Sequence, residues 1–182
     1  MHAFCLELEK LLNDPKYKSA KIYHYCSDDI AKKANAAFLM GAYEITYLSR
    51  TAKEAWSIFE KEKFVPYRDA AKGICNYQCT LLHCLEAIEW AQKLGWYNRL
   101  TFDLEEYKKY ERLENGDLNW IIPGKIMAFS TPVDSDDPKD KTVSTPEFYI
   151  SIFKELEIET VLRLGAKEYE REVVSLFISR NS

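Results

Sequence analysis

Three carboxylates with the spacing of a small binding site lie between residues 111 and 117: Glu111, Glu114 and Asp117. The first two end a predicted charged helix, and Asp117 closes an Asn-Gly-Asp turn, since Asn and Gly both tolerate positive φ. A short apolar strand over residues 120–122 follows and stops at Pro123. We therefore expect the carboxylates to meet at the rim of a sheet, where they could bind a basic partner. Taken singly, such residues more often form only a solvated helix end.

A second candidate for chemistry is the segment from Cys26 to Lys32, which follows a β-prone run and leads into a predicted helix. Phosphatases with a cysteine nucleophile need Cys, five residues and Arg, because backbone N–H groups and the guanidinium hold the phosphate oxygens. Here the basic residue is Lys32, no glycine lets the loop curl, and Asp28 and Asp29 would repel a phosphate dianion. We predict that Cys26 is not a nucleophile.

The chain also carries a cluster of possible metal ligands. Cys75, Cys79 and His83 recur every four residues, with Cys84 beside them. On one continuous helix, Cys75 and His83 would lie about 12 Å apart along the axis, too far to share one zinc ion. Cysteines that face a core explain the pattern better. We expect neither a metal nor a cofactor.

The elements that position these residues can be predicted from spacing and capping signals. Apolar periodicity and N-cap residues predict helices near residues 3–13, 30–48 (capped by Asp28 or Asp29), 52–61 (Thr51 with Glu54), 77–93 (Asn76), after Asp103 and 146–156 (Thr145). Apolar or β-prone runs predict strands at 22–26, 120–122, 126–129 and 158–164. Because strands alternate with helices, the predicted fold class is α/β, with a mainly parallel sheet covered by helices.

Four runs of the sequence also resemble a known family, in the same order and at similar spacing. They are ANAAFLMGAYEITYL (34–48), PYRDA (66–70), YQCTLLHCLEAI (77–88) and YKKYERLENGDLNWIIPGKIMAF (107–129). They are similar to the cell-division-cycle-fourteen phosphatases, which are dual-specificity protein phosphatases. The resemblance extends to about Tyr169 and is to the N-terminal, non-catalytic half. It implies a degenerate tyrosine-phosphatase-like domain that lacks the catalytic loop.

The resemblance further implies three parts of the chain. These are an N-terminally shortened half-domain (1–143), a linker helix (144–157) and the start of a truncated catalytic domain (158–182). The family's His-Cys-x-x-Gly-x-x-Arg signature does not occur in the sequence. We therefore expect no turnover by this chain alone. In the family the linker helix packs against the catalytic half. Without that half, part of its apolar face would be exposed, so we also expect self-association.

The resemblance also implies a partner for the acidic residues. The family prefers phosphoserine followed by proline, with a basic residue shortly after that an acidic groove receives. Matched by position, Glu111, Glu114 and Asp117 correspond to carboxylates of that groove, and Glu147 is a further candidate at the start of the linker helix. Lys108 stands where the family tends to carry an acid, so we expect a less negative groove. The expected partners are phosphoproteins with basic residues near phosphoserine-proline.

Composition limits the remaining functions. With 182 residues, 47% of them hydrophobic and 30% charged, the chain can bury one sizeable core. A net charge of −4 without a basic stripe argues against nucleic acid, and the lack of a long apolar tract argues against a membrane partner. Five cysteines without disulfide spacing, and no secretory signal, favour the cytoplasm or nucleus. Two alternatives to a recognition half-domain stay open: a pseudophosphatase interaction module, and part of an active phosphatase whose catalytic half lies beyond this sequence.

Overall fold

The computed structural model describes residues 1–69, 73–133 and 145–164. The chain forms two units, Met1–Phe102 and Asp103–Ser182. The first unit contains α1 (His2–Asn13), a 3-10 turn (Pro15–Tyr17), α2 (Ile30–Thr46), α3 (Ala52–Ser57) and α4 (Leu81–Lys93). The second contains α5 (Leu104–Tyr110), a 3-10 turn (Leu113–Asn115), β1 (Leu118–Ile122), β2 (Ile126–Phe129) and α6 (Pro146–Glu155). The expected boundaries at 143/144 and 157/158 stay predictions, and residues from 165 onward lie outside the described part.

The described residues combine helices with one small sheet, which is consistent with an α/β domain. The sheet is the antiparallel pair β1–β2, with Leu118 opposite Phe129. The expectation of a mainly parallel sheet is therefore wrong for the residues that the structure describes. Segments 22–26 and 158–164, predicted as strands, are not strands. A strand needs a neighbour to pair its backbone groups, and no described segment pairs with either of them.

The core of the first unit forms where α2, α3 and α4 meet. Its buried side chains are Ala37, Ile45, Ala52, Ala55, Leu81 and Leu85. Small residues on α2 let α4 approach closely: a Cβ added to Gly41 would lie 2.7 Å from Leu85 Cδ2. This close approach fixes the position of Leu85, which is completely buried.

Side-chain caps begin the helices of the first unit much as the sequence predicts. The Asp29 carboxylate accepts a hydrogen bond from Lys32 N at 2.8 Å and caps α2. Thr51 and Glu54 form the predicted capping box of α3, although this helix ends at Ser57 and not near residue 61. Helix α4 begins four residues later than expected, because Thr80 and His83 form a capping box. Cys79, the residue before Thr80, is held in an extended conformation by two backbone hydrogen bonds to Tyr67, of 2.8 and 3.1 Å.

Glu89 links α4 to the start of α3. Its carboxylate accepts a hydrogen bond from Ala52 N at 2.7 Å and pairs with Lys93 at 2.5 Å, and its side chain is only 19% exposed. The hydrogen bond from Lys93, followed by that from Ala52, lowers the pKa of Glu89. A lowered pKa means that the carboxylate stabilises the fold above the pKa of an unfolded Glu, about 4.3, and that this contribution is lost as the pH falls through the folded pKa.

We expect Glu89→Gln to lower the free energy of unfolding by about 1 kcal/mol at pH 7, and by less at pH 4. Urea titrations at both pH values measure this difference. Glu60→Gln is the control. Glu60 is exposed, and its substitution removes the same charge. An equal loss at pH 7 and pH 4 would show that the Glu89 charge does not stabilise the start of α3.

The core of the second unit is formed by α5, the hairpin and α6. Tyr110, Leu118, Tyr149 and Phe153 are buried there. Asp103 caps α5 by accepting from Glu105 N and Glu106 N, each at 2.9 Å, and Thr145 caps α6 as predicted. Phe153 is only 2% exposed, so it does not lose its cover as we expected for the apolar face of the linker helix. Part of that cover is Ile158 and Val161, which pack on this core without forming a strand.

None of the helices in the described ranges is both long and apolar enough to cross a membrane.

Candidate functional site

The backbone between α5 and β1 sets the position of the predicted acidic residues. Glu111 follows the last residue of α5, and its N–H donates to Tyr107 O at 3.0 Å. The chain then turns through Gly116, with φ of 105°, and Asp117, with φ of 44°. Asp117 N donates back to the Arg112 carbonyl at 3.1 Å and closes the turn. The predicted turn is confirmed, but its positive φ angles fall on Gly116 and Asp117 and not on Asn115. Asp is one of the few non-glycine residues that tolerate such a conformation.

Glu111 and Asp117 both act electrostatically on the hydroxyl group of Tyr107. Burial is the main cause that raises the pKa of Tyr107, and the Glu111 charge, a hydrogen bond to its carboxylate and the Asp117 charge raise it further. The phenol therefore stays protonated. Within the described ranges, the ion pairs include neither Glu111 nor Asp117.

Ser130 fixes the orientation of Asp117 from across the hairpin. It is next to the Leu118–Phe129 pair, so the register places it opposite Asp117. Its N–H donates to the Asp117 carbonyl at 3.2 Å, and its hydroxyl donates to Asp117 Oδ2 at 2.5 Å. Within the described residues, the side-chain hydrogen bond of Asp117 uses only its Oδ2 atom. Sequence reasoning missed Ser130 and Tyr107, although Tyr107 could have been found from its four-residue spacing to Glu111.

The other two predicted site residues are placed differently. Glu114 Oε1 lies 3.8 Å from Arg112 Nη1, and both side chains are 66% exposed, so this pair is weak but reduces the free negative charge. Glu147 is exposed in the first turn of α6. It precedes the buried Tyr149 by two residues, about 200° around the helix, so it points away from that core. None of the described contacts joins Glu147 to the three other carboxylates, and its role stays a prediction.

Lys108, which we expected to make the site less negative, pairs elsewhere. Its Nζ lies 2.9 Å from Glu105 Oε1, and the two side chains are 51% and 82% exposed. The Lys108 charge is therefore directed toward the preceding turn of α5 and not toward Glu111. Whether the site is less negative than in the family stays a prediction.

The two other sequence candidates do not form comparable sites. Cys26 is exposed, and the Asp29 carboxylate already occupies the N-terminus of the following helix. Cys75 Sγ donates to the Tyr77 carbonyl at 2.9 Å, and His83 takes part in the cap of α4. Within residues 1–69, 73–133 and 145–164, no group of three or more His, Cys, Asp or Glu side chains could hold a metal ion.

Comparison with known proteins identifies the family. Residues 1–91 match the model of the dual specificity protein phosphatase, N-terminal half. The chain belongs to this family. Over 178 residues it is 42% identical to the dual specificity protein phosphatase CDC14A of Mus musculus, a match that covers 93% of this chain and 29% of that protein. The resemblance that the four sequence runs predicted is confirmed.

More distant CDC14 phosphatases match the same part of the chain. The tyrosine-protein phosphatase cdc-14 of Caenorhabditis elegans is 38% identical over 179 residues, which cover 93% of this chain and 25% of that protein. The CDC14 homolog of Schizosaccharomyces pombe is 28% identical over 162 residues, which cover 85% of this chain and 30% of that protein. The chain thus spans less than a third of the length of these CDC14 phosphatases.

Proposed function

We propose that this chain is the substrate-recognition half of a dual-specificity protein phosphatase, without turnover of its own. In this role Glu111 and Asp117 bind a Lys or Arg that follows a phosphoserine-proline sequence in a partner protein. Glu114 adds a weaker charge at the same turn, and Glu147 is a further candidate. The proposal rests mainly on one observation: the two carboxylates share the neighbourhood of the Tyr107 hydroxyl and have no ion-pair partner in the described part of the chain.

The charge and hydrogen bonding of these residues support a cationic ligand. A Lys ammonium has three donors and no acceptor, and an Arg guanidinium has five donors, so both fit carboxylate oxygens that point to solvent. The Ser130 hydroxyl donates to Asp117, which holds this acceptor in place before a ligand arrives. Such preorganisation lowers the entropic cost of binding.

The absence of turnover is supported by the segment between residue 26 and helix α2. A phosphate at that helix would need the backbone N–H groups that Asp29 now caps, at 2.8 Å from Lys32 N. Asp28 would add a second negative charge, and the sequence offers Lys32 in place of an Arg clamp. We propose that this segment is the degenerate counterpart of a phosphatase loop, in a domain that binds substrates and does not hydrolyse them.

A peptide-binding measurement tests the recognition role. The probe is a phosphoserine-proline peptide with a Lys shortly after the proline, compared with the same peptide carrying Ala in place of Lys. We expect the double variant Glu111→Gln/Asp117→Asn to bind the Lys peptide about two- to thirty-fold more weakly, since exposed ion pairs contribute about 0.2–1 kcal/mol each. Asn is chosen at 117 because it tolerates the left-handed backbone. Fluorescence anisotropy at low and physiological salt measures both effects.

The matched control removes two charges from the first turn of α5, before the turn that carries Asp117. Glu105→Gln/Glu106→Gln has the same net charge as the double variant, and both residues are exposed. We expect this control to retain most of the preference for the Lys peptide. Equal affinity for the Lys and Ala peptides in the unaltered chain, or equal losses in the two double variants, would contradict a basic-residue site at Glu111 and Asp117.

A further inference from the structure

We propose that Cys79 and Cys84 form a dithiol site that a peroxide oxidises to an intramolecular disulfide. The two Sγ atoms lie 3.5 Å apart. A disulfide bond is about 2.05 Å long, so the sulfurs need to approach by roughly 1.5 Å, which side-chain rotation can supply. No role in peptide recognition is required of this site, because it lies in the first unit and the carboxylates lie in the second.

Backbone contacts hold the two cysteines face to face. Cys79 ends an extended segment and exchanges two hydrogen bonds with Tyr67, of 2.8 and 3.1 Å. Cys84 lies in the first turn of α4, where its N–H donates to the Thr80 carbonyl at 3.2 Å. Both backbones are therefore anchored on the two sides of the Thr80 cap. The short distance between the sulfurs follows from this local arrangement, and no movement of a helix is needed to join them.

The surroundings give the two thiols different parts in the reaction. Both residues are half-buried, so a small peroxide can reach them while a protein thiol cannot easily do so. Burial, together with the hydrogen bond to Cys79, raises the pKa of the Cys84 thiol to about 12. Cys84 is then protonated at neutral pH and is the poorer first nucleophile. Cys79 is the residue that attacks the peroxide, and Cys84 is the residue that resolves the product.

The chemistry balances with the peroxide as the oxidant. The Cys79 sulfur attacks one peroxide oxygen, the O–O bond breaks, and the first water leaves as Cys79 becomes a sulfenic acid. The Cys84 sulfur then attacks the Cys79 sulfur, the S–O bond breaks, and the Cys84 proton leaves with the hydroxyl group as a second water. Two thiols and one hydrogen peroxide thus give one disulfide and two waters. A dithiol reductant reverses the change by thiol–disulfide exchange.

The remaining cysteines provide internal comparisons. Cys5 is only 1% exposed, and Cys26 is exposed in the segment before α2. Cys75 is the nearest competitor in sequence, but its Sγ donates to the Tyr77 carbonyl. We expect the disulfide to join Cys79 to Cys84 and to exclude Cys75. It would fasten the extended segment that enters α4 to the first turn of that helix.

Mass spectrometry of the oxidised full chain tests the site. Trypsin releases residues 73–93 as one peptide with three cysteines, so the Cys75→Ser variant is used to leave only Cys79 and Cys84 in it. After treatment with hydrogen peroxide and alkylation by iodoacetamide, we expect this peptide to be lighter by two hydrogens and free of alkylation. Dithiothreitol should restore two alkylated cysteines. Circular dichroism before and after oxidation verifies that the chain stays folded.

Two further variants test the roles assigned to the individual cysteines. Cys75→Ser/Cys84→Ser should leave Cys79 as a sulfenic or more highly oxidised acid, because the resolving thiol is gone. Cys26→Ser should form the disulfide as readily as the unaltered chain. The proposal is overturned if residues 73–93 of folded Cys75→Ser protein still carry two alkyl groups after peroxide treatment, or if Cys79 accumulates as a sulfinic acid while Cys84 is present. It is also overturned if fragmentation of the unaltered peptide shows a bond to Cys75.

Discussion

Leu85→Ala should lower the free energy of unfolding of the first unit by about 2–5 kcal/mol, the range for buried Leu→Ala changes. Leu85 is completely buried and belongs to the cluster in which α2, α3 and α4 meet. Its removal leaves a cavity, because the neighbouring helices are held by their other contacts. Urea unfolding with hydrogen exchange of the α2 and α4 peptides measures the loss in this unit. Leu94→Ala, at a position that is 52% exposed, removes the same atoms and should cost less than about 1 kcal/mol.

Substitution of Gly41 tests the contact between α2 and Leu85 directly. A Cβ at this position would lie 2.7 Å from Leu85 Cδ2 and 3.1 Å from Leu85 Cδ1, so Gly41→Ala alone should destabilise the unit by about 1–3 kcal/mol. In the Leu85→Ala background the new methyl group enters the empty space, and the same change should cost less. Additive losses in this double-mutant cycle would show that the two residues are not in contact.

The parts of the fold that depend on local signals could be predicted from the sequence. Asp29, Thr51, Asp103 and Thr145 begin helices as expected, because a cap is decided by a few adjacent residues. The start of α4 was misplaced because Thr80 competes with Asn76 for the cap. Its advantage is the reciprocal hydrogen bond with His83, which supports the start of the helix from both sides.

The strands show where local reasoning stops. Residues 22–26 have the composition of a strand, but Tyr23 is 78% exposed and Tyr25 88% exposed. Composition shows that a segment can be a strand, whereas pairing depends on which other segment lies beside it. Both strands of the hairpin β1–β2 were predicted, at 120–122 and 126–129, but their antiparallel pairing was not. The antiparallel direction follows from the short connection.

The candidate site divides in the same way. The turn at residues 115–117 could be predicted from the Asn-Gly pair. Ser130 lies thirteen residues after Asp117, and only the strand register brings it to that carboxylate. The pairing of Glu114 with Arg112 was not predicted either, since a two-residue spacing across a 3-10 turn follows no regular helical rule.

Gly116→Ala should destabilise the second unit by about 2–5 kcal/mol, through backbone strain and steric overlap together. Gly116 has φ of 105°, which is unfavourable for any residue with a Cβ. An added Cβ would also lie 2.9 Å from Leu118 Cδ2 and 3.1 Å from Tyr149 Cε1. The Tyr149 hydroxyl donates to the Gly116 carbonyl at 2.7 Å in the buried core, so the turn cannot move away without losing that hydrogen bond.

Gly124→Ala separates the two causes, because Gly124 has φ of 68° and no atom within 4 Å of an added Cβ. It should therefore cost about 1 kcal/mol, the backbone cost alone. Hydrogen exchange of peptides from β1 and α6 measures both variants. Because Gly116 directly precedes Asp117, molecules of Gly116→Ala that stay folded should also lose part of their preference for the Lys peptide, whereas Gly124→Ala should keep it. If both substitutions lowered the free energy of unfolding equally, steric overlap with Leu118 and Tyr149 would add nothing to the backbone cost. These contacts would then not hold the carboxylates in place.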